Sequence, residues 1–152
     1  MAFRSFKLPT LLHALISSGC WPRTAREAMT QNLRPLITPE RVQRFAAEES
    51  CIYLEAPPFH TVADHAARGP KEFWSKFGAR ENISPDQSLI VGDFGLGSDS
   101  PIILDYREDG VNPPVLRLRW SEIAPEKVKT CWVRGADTFD EFAIVLGLCE
   151  ND

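Results

Sequence analysis

The sequence predicts an α+β domain: N-terminal helices, then an antiparallel β-meander of about four or more strands, then a C-terminal helix packed on the sheet. Three observations lead there. Apolar residues recur at helical spacing through the first half, the period changes to two from about residue 88, and helical spacing returns after residue 137. The connectors between the strand-like runs are short, which suits hairpins and excludes parallel crossovers. With 152 residues, 43% of them hydrophobic and 25% charged, the chain is expected to form one domain over residues 1–152, residues 1–37 being a helical N-terminal extension.

In chain order, Leu8, Leu11, Leu12, Leu15 and Ile16 fall on one helical stripe. This spacing favours a core-packing helix over a cleaved signal, although the basic start and the run up to Cys20 imitate one. Thr24 and Glu27 form a T-x-x-E capping box, and the helix they open must stop near Leu33 because Pro35 follows. Thr38 and Pro39 open another helix, expected from about residue 39 to residue 50. Short helical pieces follow over residues 61–68 and after Pro70, where Phe73, Trp74 and Phe77 share a side. "GARENISPDQS" is the nearest thing to an internal hinge.

The second half reads as strands. "SLIVGD" is β-rich; "PIILDYR" alternates Ile102, Leu104 and Tyr106 against Ile103, Asp105 and Arg107; "VLRLRW" alternates Leu116, Leu118 and Trp120 against Val115, Arg117 and Arg119; "TCWV" gives a fourth strand. Asp137 or Thr138 then caps a helix whose stripe is Phe139, Phe142, Ala143 and Leu146.

The chemical motifs fail one after another. A net charge of −4 argues against a nucleic-acid ligand held by counterion release and suits a basic protein partner. No segment approaches the roughly 18 apolar residues of a membrane span. Cys20, Cys51, Cys131 and Cys149 lie far apart without C-x-x-C spacing, so reduced thiols in a cytosol are expected. Gly92, Gly95 and Gly97 have neither the order nor the following helix of a phosphate loop. Asp93, Asp99 and Asp105 miss the calcium-loop spacing, and His60 and His65 are five apart, not the four of a zinc helix. No metal or other cofactor is expected. A small metal-dependent hydrolase using the aspartates with His60 or His65 is the competing class.

"LIVGDFGLGSDSPIILDYRED", "PVLRLRW", "CWV" and "ADTFDEFAIVLGL", taken in order, resemble the bacterial SMI1/KNR4 (SUKH) superfamily over roughly residues 38–148. The resemblance implies an α+β fold with no shared catalytic residue. For many bacterial members it implies an immunity protein that neutralises a polymorphic toxin, commonly a nuclease; other members are regulators that bind a host protein. On that reading an acidic rim of Asp93, Asp99, Asp105, Glu108 and Asp109 would meet a basic toxin surface. Arg117 and Arg119 would join Asp105 and Arg107 in a mixed-charge band on a solvated sheet face.

Overall fold

Residues 6–69, 71–76, 78, 80–94 and 100–148 are described in the computed structural model. The first helix, α1 (Thr10–Ser18), buries Leu12 and Leu15 and ends where Gly19 turns left-handed at φ 83°. Helix α2 (Ala25–Met29) is capped by Thr24 Oγ1, which accepts the Glu27 N–H, and continues into a 3₁₀ turn, Thr30–Asn32. Thr38 likewise caps α3 (Pro39–Phe45), with Pro39 in the first turn where its missing N–H costs nothing. This helix is shorter than the run expected to residue 50, because Ala46 leaves the helical region. Thr61 caps α4 (Val62–Arg68), and α5 (Lys71–Lys76) follows; Phe77 lies outside the described residues. Between α5 and the main strands, two 3₁₀ turns (Arg80–Asn82, Pro85–Gln87) and buried Ile83 occupy the stretch that resembled a hinge.

Six strands form one antiparallel sheet: β1 (Tyr53–Leu54), β2 (His60–Thr61), β3 (Ser88–Asp93), β4 (Pro101–Asp105), β5 (Val115–Ala124) and β6 (Lys127–Ala136). Their order is β1-β3-β4-β5-β6, and β2 shares β3 with β1. The last helix, α6 (Phe139–Leu146), is capped by Thr138 and buries Phe139, Phe142, Ala143 and Leu146, the whole expected stripe.

Both faces of the sheet are covered. Ile102, Leu104 and Val115 face a core closed by α1, α3 and α6, with Trp21, Phe45 and Phe142 among its members. Ile103, Leu116 and Leu118 face a smaller core under α4 and α5, built on Val62, Phe73 and Trp74. Every residue of β4 is therefore buried. Burying side chains such as Ile102, Ile103 and Leu104, all fully buried, stabilises the fold by about 1.5–3 kcal/mol each.

The two-residue strand β1 carries too little local signal to be read from sequence; Gln31 holds it. The buried Gln31 amide donates to the Leu54 carbonyl (2.9 Å) and to the Ala28 carbonyl (2.9 Å), while its Oε1 accepts the Leu54 N–H (2.9 Å). One side chain thus supplies what a neighbouring strand would supply, and it closes that edge of the sheet. Gln31→Met, close in shape but without the amide, should lower unfolding free energy by about 2–3 kcal/mol, because it leaves buried backbone groups unpaired. Urea denaturation measures this; a loss below about 0.5 kcal/mol would mean that water replaces the amide.

Candidate functional site

The expected acidic rim does not exist as one surface. Asp105 is 2% exposed, and Arg107 engages it through Nε and Nη2, the latter at 2.7 Å. Asp93 Oδ1 accepts the Phe94 N–H (2.7 Å) and the Ser100 N–H (3.3 Å), shaping the bend after β3. Asp109 Oδ1 accepts the Val111 and Asn112 N–H groups, which hold its carboxyl below the usual aspartate range. Asp99, Gly95 and Gly97 lie outside the described residues.

Glu108 and Asp109 do stay exposed, and the fold brings other acids to them. Arg134 of β6 sits between Glu108 (3.0 Å) and Asp137 (3.6 Å). Asn112 Oδ1 accepts the Asp140 N–H at the start of α6. Glu108, Asp109, Asp137 and Asp140 thereby share one exposed end of the molecule.

The mixed-charge band is also corrected. Arg117 pairs in register with Ile102, so it points to the larger core and is 7% exposed, whereas Asp105 belongs to the opposite face. Its guanidinium forms a fork on Glu48, with Nη1 at 2.6 Å and Nη2 at 3.1 Å, and lies 5.8 Å from the Phe94 ring centre. Arg119 reaches the same carboxylate at 3.6 Å. Glu48 gives no sign of this role in the sequence, 69 residues before Arg117.

Two features were not foreseen. The first is the outer part of the β5–β6 hairpin. Strand β4 pairs only with Val115, Leu116 and Arg117, so from Leu118 outward β5 and β6 pair with each other alone. Trp120 and Trp132 anchor the ribbon's root: Trp120 lies 6.2 Å from Phe73, and Trp132 Nε1 donates to the Gly78 carbonyl. Its tip exposes Ile123 (63%) and Val128 (46%). Among the described residues nothing pairs with the outer side of β6.

The second is a cavity of about 280 Å³ where the chain leaves β1 and returns as β2, lined by Glu55, Phe59, His60, His65, Phe73, Ile90 and Asp93 with Pro58 and Pro101. A β-bulge between Ile90 and Gly92 resets the alternation of β3, so that Asp93 joins Ile90 on the cavity side. Partial burial, and then the Asp93 charge, hold the Glu55 carboxyl above the usual glutamate range. His65 Nδ1 accepts the Trp74 indole N–H (2.8 Å), and His60 Nδ1 lies 2.7 Å from an Arg68 guanidinium nitrogen. Trp and Arg can only donate, so the imidazole nitrogen is the acceptor in both contacts. The cavity thus gathers His60, His65 and Asp93, the residues of the hydrolase alternative; among the described residues no three His, Cys, Asp or Glu side chains are placed to hold a metal ion.

Cys20 is disulfide-bonded, which corrects the expectation of four reduced thiols; Cys51 and Cys131 are free, and Cys149 lies outside the described residues. No described helix is long and apolar enough to cross a membrane. No protein-family model, curated protein or solved structure significantly matches the chain.

The Glu48–Arg117 fork makes stability depend on acid. Hydrogen bonding to Arg117 holds the Glu48 carboxyl below its ordinary 4.5, so the unfolded chain takes up the proton first. The contribution is complete above about pH 5 and is lost as pH falls through the Glu48 range. Glu48→Gln should cost about 1 kcal/mol at pH 7, modest because Glu48 is 41% exposed. It should also flatten the pH dependence of the urea midpoint below pH 5; parallel curves for the two proteins would count against the pair.

Proposed function

We propose that this chain is a non-catalytic protein-binding module, an immunity protein that neutralises a polymorphic bacterial toxin and takes neither metal nor cofactor. The observation that carries the binding reading is the unequal treatment of the two sheet edges. At one edge Gln31 satisfies the backbone of β1, while at the other a ten-residue strand, β6, runs out into a ribbon that presents Ile123 and Val128 at its tip. Long exposed edges are normally blunted because they recruit other chains. Here Lys127, Lys129 and Arg134 set limits on self-pairing and leave the edge open to a selected partner.

The acidic end at the root of β6 suits a basic partner, such as a nuclease domain, and would speed its association. Glu108 and Asp109 belong to that surface; Asp105 and Arg117, being buried and paired, act on it only by supporting the fold. Within the class of protein binders, the toxin assignment rests on the motif resemblance over residues 38–148.

Co-expression with the protein encoded immediately upstream tests the reading. The wild-type chain should co-purify with it and protect the cell from its toxicity. The folded double variant Ile123→Asp, Val128→Asp should lose capture by at least about tenfold, the scale of an anchor residue worth more than 1 kcal/mol. Full capture by the variant would remove the ribbon from the interface, and a neighbour neither toxic nor bound would remove the immunity role.

A further inference from the structure

Apart from Ile123 and Val128 on the ribbon, Met29, Leu33, Leu36, Val111 and Ile144 also stay exposed, and they fall in two places. The first is the end of α2. The backbone remains helical through the 3₁₀ turn to Leu33, so Arg26, Met29 and Leu33, at i, i+3 and i+7, share the outer side. Ala28 and Gln31 share the inner side and are buried, where the Gln31 amide ties the segment to Leu54. Leu33 is 93% exposed, so it stands out from the surface on a firmly held base. Arg26 and Arg34 flank it without an ion pair among the described residues, and the nearby Glu27 is engaged by Arg23.

The second place is a seam between α1 and α6, with Val111 and Ile144 on its rims. Two recesses of about 380 and 260 Å³ lie along it and share Leu11 as a wall. Small residues keep them open: Ala14 in the first, Ala143 and Gly147 in the second. Asp140 lines the first recess, and Asp109 holds the Val111–Asn112 turn beside it. Arg134 occupies Glu108 and Asp137, so Asp109 and Asp140 are the acids of this end without a cation among the described residues. No residue from 26 to 36 lines either recess, so the patch and the seam are separate surfaces.

We propose that the two surfaces fit one another in different copies of this chain: Leu33 of one molecule seats in the α1–α6 seam of the next, with Arg26 and Arg34 against Asp140 and Asp109. Shape and charge together commit the seam to this occupant. A protruding leucine meets a recess walled by Leu11 and Ala14, and a side chain so exposed has the most to gain from leaving water. Two arginines and two carboxylates, none with an ionic partner inside its own molecule, are matched across the contact. Because the halves differ, the contact is heterologous: each molecule keeps a free patch at one end and a free seam at the other, and association runs head to tail. The interface is small, below about 1,200 Å², which makes the association weak and reversible. It rests on neither the ribbon nor the toxin reading.

Sedimentation velocity of the full chain tests it. The wild type should pass from monomer to dimer and longer species between about 10 μM and 1 mM, and added salt should weaken the association. Leu33→Ser removes the anchor and Ala14→Arg fills the seam; each, with an unchanged melting curve, should weaken association at least about tenfold. An equimolar mixture of the two variants decides the geometry, because the first keeps its seam and the second its patch. The mixture should form a heterodimer and nothing larger. A wild type that is monomeric at about 1 mM, a Leu33→Ser variant that associates as before, or a mixture that stays monomeric would overturn the contact. In the first of these cases, Leu33-dependent pelleting with phosphatidylglycerol vesicles would assign the patch to an anionic membrane surface instead. No toxin enters these measurements, so they can fail while the binding module stands.

Discussion

Burial of β4 on both faces is the constraint on which the rest of the structure depends. A five-residue strand with no exposed side chain must be covered twice, so the helices cannot all lie on one side of the sheet. Helices α1, α3 and α6 close the larger core, and the short α4 and α5 close the smaller one. Continuous apolar runs are the mark of strands in parallel sheets flanked by helices; here an antiparallel hairpin strand meets the same demand. The alternation in "PIILD" is thus an alternation between two cores, not between a core and water.

This layering decides where charge can live. Asp105 ends β4 within a buried layer and is tolerable because Arg107 forks onto it from two residues away. Arg117 emerges at the rim of the larger core and finds Glu48 beyond the end of α3. Both pairs lie at borders, where one partner keeps contact with water and the desolvation cost is smaller than for a fully buried pair. Neither is a free charge offered to a partner. The acids available for recognition are instead those gathered around Arg134, from the loop before β5 and the start of α6.

The two unforeseen features arise where the layering stops. At one end of the sheet the chain leaves β3 after β1 and returns to it as β2, with Val91 between the two pairings, and a mixed polar and aromatic recess opens beside that excursion. At the other end the hairpin outruns both layers, so the tip of a two-stranded ribbon carries apolar side chains into solvent. A ribbon of this kind is marginal alone and depends on Trp120 and Trp132 at its root. The rigid middle of the domain and the exposed features at its borders are consequences of one arrangement of apolar side chains.

Much of this could be read from sequence because the deciding forces are local. Thr24, Thr38, Thr61 and Thr138 each accept the N–H three residues on, and the apolar spacings of α1 and α6 fix their buried sides. The alternation of β4 and β5 likewise sets which residues share a face. Sequence could not settle what covers each face, and for that reason Arg117 was expected in water and is found in a core. The Gln31–Leu54 clamp, the Glu48–Arg117 fork and the Glu55–Asp93 recess join residues 23, 69 and tens of positions apart. No periodicity or cap encodes such a meeting; only the packed layers bring those side chains together, and burial then decides which polar groups must be satisfied within the protein and which stay exposed to solvent.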